Sequence, residues 1–148
     1  MKVILASDHA GFDLKGRLAA YLKEEGYEVE DLGPEERDDT DDYPDFMARA
    51  AKRLQESPGA FAVVMGGSGQ GEAMTMNRFK GVRAAVYYGG DLEMVRLARH
   101  HNDANALSLA ARFLLEPQAI AAVDIFLEST FAGEERHARR IGKLDRLS

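Results

Sequence analysis

The sequence predicts an α/β domain in which a five-stranded parallel sheet, order 2-1-3-4-5, is covered by helices on both faces. Three observations support this. Short apolar runs alternate with segments whose apolar residues recur at helical spacing, which is the pattern of strand–helix–strand units. One run, Ala60 to Met65, opens directly into Gly66-Gly67-Ser68-Gly69-Gln70-Gly71-Glu72, a glycine-dense turn suited to the junction of a buried strand with a helix. The 148 residues are one domain's worth, so a single unit spanning 1–148 is expected.

Lys2 to Ser7 is a strand ending in Asp8-His9-Ala10-Gly11, and Leu14, Leu18, Tyr21 and Leu22 then follow at helical spacing until Gly26 stops the helix. Tyr27 to Leu32 is a second strand. Gly33-Pro34 opens an acidic loop to Asp42, whose charge run is that of an ordinary solvated connection. Pro44 suits a first helical turn, so Phe46, Ala50 and Leu54 should face a core. After the third strand and its glycine turn, a helix runs toward Asn77, and Val82 to Tyr88 is the fourth strand. Gly89-Gly90-Asp91 starts a helix carrying Met94, Val95, Leu97 and Ala98, which ends at Arg99-His100-His101-Asn102. Ala106 to Leu109 is a short fifth strand and Pro117 to Phe126 a further amphipathic helix. The segment from about 134 to 146 reads as a basic helix. The whole fits a three-layer Rossmann-like, specifically flavodoxin-like, arrangement. Its switch point lies between strands one and three, which brings the Asp8 turn and the glycine turn together.

Composition narrows the function. A formal net charge of −6 argues against a nucleic-acid or anionic-membrane surface, and the absence of cysteine removes disulfides, thiolate metal sites and a cysteine nucleophile. The start of the chain has no signal-peptide pattern and no later run is long enough to span a bilayer, so a cytoplasmic protein is expected. The four histidines form no zincin spacing, and no metal site is expected.

The glycine turn is neither a dinucleotide fingerprint nor a Walker motif, and Ser68, with glycine on both sides, does not sit in a Gly-x-Ser-x-Gly elbow. Freed backbone N–H groups and a helix start attract an anion or a developing oxyanion. A carboxylate at the same place, Glu72, suits proton abstraction, although a first-turn glutamate is also an ordinary helix-dipole partner. Asp8-His9 at a strand end in a switch-point crevice are candidates for the same chemistry, or Asp8 is a cap. His101 and Asn102 close a helix either as a cap or as site residues. Arg136 and Arg140, four apart, share a helical face and can grip a phosphate dianion in concert, with Arg112 adding a third contact. A solvated basic face is the plainer reading of the same arginines.

Taken in order, Ser7-Asp8-His9-Ala10-Gly11, Asp42-Tyr43-Pro44-Asp45, Gly66 to Glu72 with Asn77, Gly81-Val82-Arg83-Ala84-Ala85, Arg99-x-His101-Asn102, Arg112 and Arg136-His137-x-x-Arg140 closely resemble the ribose-5-phosphate isomerase B family, which includes galactose-6-phosphate isomerase subunits. The resemblance covers nearly the whole chain. It implies aldose–ketose isomerisation of ribose 5-phosphate and ribulose 5-phosphate through an enediol, with no cofactor and no metal. It also implies a homodimer, with a tetramer as the alternative, whose sites draw residues from both subunits, the C-terminal helix lying at the interface. Many members carry a catalytic cysteine where this chain has Gly66, so it resembles the branch whose base is a glutamate, here Glu72. Ser68 and the backbone of Gly67, Ser68, Gly69, Gln70 and Gly71 would hold the enediolate oxygen. Asp8 and His101 would serve ring opening, with His101 the proton donor and Asn102 orienting substrate. Arg112, Arg136 and Arg140, helped by His9, would bind phosphate, and Tyr43 would line the sugar pocket. Arg78, Asn105 and Ala110-Ala111 depart from the family pattern, and the alanines before Arg112 leave open a six-carbon phosphate of the galactose or allose 6-phosphate type. A non-catalytic sugar-phosphate-binding protein is the alternative from another class.

Overall fold

A computed structural model of the chain describes residues 1–147. Its elements run β1 (Lys2–Ser7), α1 (Phe12–Glu24), β2 (Glu28–Asp31), α2 (Tyr43–Gln55), β3 (Phe61–Gly66), α3 (Gln70–Met76), β4 (Ala84–Tyr87), α4 (Glu93–Asn102), β5 (Ala106–Ala110), α5 (Glu116–Glu128) and α6 (Glu135–Asp145). The five strands form one parallel sheet whose register sets Ser7 beside Met65 and Gly66 beside Ala110. Each strand is followed by a helix, and the sheet is covered on both faces. Leu5, Met65, Leu107 and Leu109 pack with α1, α4 and α5 on one side, and Ile4, Ala6, Val64 and Ala106 pack with α2 and α3 on the other.

The order along the sheet is β2-β1-β3-β5-β4, so the expected places of the last two strands are exchanged. Burial explains the difference. All five residues of β5 are buried, as a strand covered on both faces requires, whereas in β4 only Tyr87 is. Strands β2 and β4 are edge strands and are shorter than the apolar runs that announced them. The switch point between β1 and β3 is unaffected, because the first crossover leads to β2 on one side and the later ones to the opposite side.

Local chemistry sets the element ends. Gly26 closes α1 at φ 88°, with its N–H donating to Lys23 O and the Tyr27 N–H donating to Leu22 O, the two bonds of a Schellman turn. Pro44 and Pro117 open α2 and α5, and the Gln118 side chain accepts from the Leu115 N–H at 2.8 Å. On α2 the buried face is Met47, Ala50, Ala51 and Leu54, one position on from Phe46, which is only half-buried. On α4 only Val95 and Arg99 are buried. Leu97 and Ala98 are half-buried, and Met94 is exposed. Helix α6 packs on α4 and buries a single residue, His137. Among the described residues no helix is long and apolar enough to cross a membrane.

Candidate active site

The carboxyl ends of β1, β3 and β5 converge on one crevice. After β1 the chain turns sharply, and the Asp8 carboxylate accepts from the N–H groups of Ala10 and Gly11 at 2.9 and 3.1 Å. The turn brings Gly11 so close to β3 that a Cβ there would stand 2.5 Å from the Met65 carbonyl oxygen. Asp8 is thus a turn cap and a buried crevice carboxylate at once.

After β3 the glycine turn is tied to β5. Ala111 and Arg112 donate backbone N–H bonds to Gly66 O and Gly67 O at 2.8 and 3.1 Å, and the buried Ser108 hydroxyl donates to Gly69 O at 2.7 Å. Gly69 has φ 74°, a left-handed conformation that a side chain would strain. The N–H groups of Ser68 and Gly69 find no protein acceptor among the described residues, and the Gln70 N–H donates to Ser68 Oγ at 3.3 Å. The turn therefore keeps two backbone donors uncommitted. Ser108, inside a fully buried strand, carries no sequence signal that separates it from any other core serine.

Glu72, in the first turn of α3, is 3% exposed. It is not the solvated first-turn glutamate that its position allows. Its carboxyl lies over Gly66, where a Cβ would be 1.7 Å from Oε1, so the missing side chain at position 66 makes the space Glu72 occupies. Burial pushes the Glu72 carboxyl above the usual range, its own backbone N–H pulls the other way, and the neighbouring Asp8 raises it further. Two buried carboxyls side by side are the kind of pair that can hold and pass a proton. Tyr43 covers the far side of the turn, its ring so close to Gly71 that a Cβ there would meet Cζ at 2.5 Å. The Arg112 guanidinium lies along Gly67, with Nη1 3.2 Å from where a Cβ would be.

His9 borders the same crevice, and Asp41 holds it. Asp41 Oδ1 lies 2.7 Å from His9 Nδ1 and accepts from the His9 backbone N–H at 3.2 Å. That hydrogen bond lifts the His9 pKa above its ordinary value, against the effect of burial, and Asp8 and Asp39 add to the lift. The acidic loop is therefore not wholly a solvated connection: residues 35–40 are exposed, but the Asp41 side chain is only 7% exposed. Asp8, His9 and Asp41 also offer ligand atoms within 4.8 Å of one another, and among the described residues this trio is the group with the spacing for a cation. Of its histidine nitrogens, Nδ1 is already bonded to Asp41.

His101, Asn102, Arg136 and Arg140 lie elsewhere. Helix α4 runs antiparallel to the strands, so its last turn is at the amino edge of the sheet. There the Arg83 guanidinium, just before β4, donates to the Asn102 and Asp103 carbonyls at 3.2 and 3.0 Å. The His101 ring stacks on that of His137, centroids 4.4 Å apart and 15° from parallel. Arg136 pairs with Glu134 at 3.1 Å, while Arg140 is exposed and has no carboxylate partner among the described residues. One chain thus carries a carboxylate-and-glycine half at one end of the sheet and a histidine-and-arginine half at the other. Asp8 and His101, expected to serve one reaction in a site shared by two subunits, do not meet within a single chain. The larger surface depressions, about 650 Å³ beside Lys15 and Asp31 and about 610 Å³ between Arg83, Asn102 and Leu144, do not include Glu72. A smaller one of about 190 Å³ is lined by Ser68, Gln70, Tyr88 and Phe113, at the mouth of the glycine turn.

A family profile described as Ribose/Galactose Isomerase matches residues 3–144. A probable ribose-5-phosphate isomerase B of Mycoplasma pneumoniae is 39% identical over 142 residues, 96% of this chain and 91% of that protein. The ribose-5-phosphate isomerase B of Mycobacterium tuberculosis is 39% identical over 141 residues, 95% of this chain and 86% of that protein. Among solved structures, ribose-5-phosphate isomerase B of Mycoplasma genitalium with bound ribulose 5-phosphate superposes with a TM-score of 0.92 at 39% identity, covering 99% of this chain and 95% of that one.

Proposed function

The chain belongs to the ribose/galactose isomerase family, and we propose that it interconverts ribose 5-phosphate and ribulose 5-phosphate through an enediol, with Glu72 as the base. The observation that carries this reading is the Glu72 carboxyl, buried over a side-chain-free Gly66 and beside a turn whose Ser68 and Gly69 N–H groups have no protein acceptor among the described residues. A carboxylate with a raised pKa is a stronger base once ionised than a solvated one. In the open-chain aldose, Glu72 takes the proton from C2. The C–H electron pair becomes the C1–C2 double bond, and the carbonyl oxygen becomes the enediolate that the Gly67–Gly71 turn and Ser68 stabilise. Return of the proton to C1, with the O2 proton passed to O1, gives the ketose. Donors of this kind typically lower a barrier by ~3–4 kcal/mol each.

Ring opening requires a proton on the ring oxygen and removal of one from the anomeric hydroxyl, the roles assigned to His101 and Asp8, with Asn102 orienting the sugar. Arg112, Arg136, Arg140 and His9 bind the phosphate, and Tyr43 lines the pocket. Remote binding of this kind keeps the reacting carbon over the base. Because the two halves lie at opposite ends of the sheet, a site is completed when the His101 half of a second copy closes over the Glu72 half of the first, in a homodimer. The exposed apolar residues Met74, Tyr88, Phe113 and Leu115 flank the first half, and Leu144, on α6, flanks the second. Such patches fit an interface between copies, with α6 within it. The reaction belongs to pentose phosphate metabolism in the cytoplasm, where a charged sugar phosphate is retained.

Solvent deuterium exchange followed by NMR tests the reading: deuterium should enter the sugar at C2 of the aldose and C1 of the ketose. Binding without exchange would mean a non-catalytic sugar-phosphate-binding protein. A kcat/KM that strongly favours galactose or allose 6-phosphate over ribose 5-phosphate would move the substrate to six carbons.

A further inference from the structure

The loop between β2 and α2 exposes every residue from 35 to 40 and then buries a carboxylate, Asp41. Taking a carboxylate out of water is costly unless a donor, and preferably a cation, meets it. The partner here is His9, reached twice by the same oxygen, through the backbone N–H at 3.2 Å and through Nδ1 at 2.7 Å. An ionised carboxylate only accepts, so this contact requires the proton on Nδ1. His9 Nε2 makes no hydrogen bond to the protein among the described residues, and the side chain is 24% exposed at the crevice.

From this geometry we propose that Asp41 is a positioning residue: it fixes the His9 ring and its Nδ1–H, and so aims a charged Nε2–H at the anionic end of the substrate. The proposal rests on the isomerase reading for the identity of that substrate, while the Asp41–His9 pair stands on its own contacts. The groups facing His9 are Asp8 from its own turn, Asp38, Asp39 and Asp41 from the acidic loop, and Glu72 from α3 by way of Asp8. Those on the turn and the loop favour the imidazolium, and Asp41 contributes most. Without it the imidazole would lose the largest of the effects that favour its charged form, leaving a poorer setting for a phosphate dianion.

Asp41→Asn keeps an acceptor for Nδ1–H and removes the charge, which separates electrostatics from geometry. In the substrate-free protein, the His9 NMR titration midpoint should fall toward its ordinary value of 6.5, but not the whole way, since the other carboxylates remain. In steady-state kinetics on ribose 5-phosphate above that pH, KM should rise by about tenfold, the worth of one charge-assisted hydrogen bond, with the loss in KM rather than kcat. The gap should close as the pH falls below 6.5, where His9 is protonated in both proteins. In a His9→Asn background, Asp41→Asn should add nothing. An unchanged His9 titration, or the same rise in KM with and without His9, overturns the proposal. If the wild type fails to turn over ribose 5-phosphate, the isomerase reading fails instead, and the titration still decides the role of Asp41.

Discussion

Glu72 carries two opposed properties, and replacing it separates them. Glu72→Gln should lower kcat by about 10²–10⁴, the usual worth of a positioned base, while leaving KM nearly unchanged. In the wild type the base works only when ionised. The acidic limb of kcat/KM should therefore fall above the ordinary carboxylate value of 4.5, because burial raises the Glu72 pKa. The same shift costs stability: a carboxyl whose pKa is raised on folding favours the folded state while protonated, and that contribution is lost as pH rises through the raised value. Glu72→Gln should consequently melt higher than the wild type at neutral pH, and the two melting curves should converge in acid. Equal melting temperatures at every pH would remove the burial effect. Glu72 is proposed as the base from its place in the glycine turn and, by resemblance, from the missing cysteine at position 66. The sequence could not show that these two features are one, because the contact between Gly66 and the Glu72 carboxyl joins positions six apart through space. His9 is a similar case: it stands out as a candidate beside Asp8, but its partner Asp41 lies 32 residues away inside a charge run that reads as solvent-facing.

At the level of elements, the glycine turn holds a position rather than providing flexibility. Its carbonyls are pinned by Ser108, Ala111 and Arg112, which ties the proposed base and oxyanion donors to the end of β5. Gly66→Ala tests this. The new Cβ would fall on the far end of the Glu72 side chain, which can swing aside. Stability should therefore drop only within the ~1–3 kcal/mol of an overpacked site, while kcat falls by roughly 10² because the base is displaced. Circular dichroism melts and kinetics on the same preparation separate the two effects, and a variant with near-normal kcat would show that Glu72 tolerates displacement. The alternation of strands and helices was plain in the sequence, and so was the meeting of the Asp8 and glycine turns. The exchange of β4 and β5 was not. Neighbour order depends on which strand can be buried on both faces, and the short runs 82–88 and 106–109 are both apolar enough to leave this undecided. On α2, Ala50 and Leu54 face the core as their spacing indicates, but Met47 rather than Phe46 takes the first buried position, because both are apolar and only packing chooses between them.

At the scale of the whole molecule, parallel topology has a direct chemical consequence. A helix that follows a strand runs back to the opposite edge, so residues at a strand's carboxyl end and residues closing the next helix are separated within one chain. Glu72 and His101 are separated in this way, although both are assigned to one reaction. A two-fold dimer resolves the conflict, because each copy can offer its His101 half to the other's Glu72 half. Mixing variants tests this without a structure of the assembly. Glu72→Gln and His101→Asn should each be nearly inactive alone. Unfolded together in equal amounts and refolded, random pairing makes half of the dimers mixed. In a mixed dimer one site carries both changes and the other carries neither, so activity should recover to about a quarter of the wild-type value. If each chain instead built its own site, every site in the mixture would carry one change and no activity would return. Recovery above the level of either variant alone therefore requires that Glu72 and His101 of one working site come from different chains.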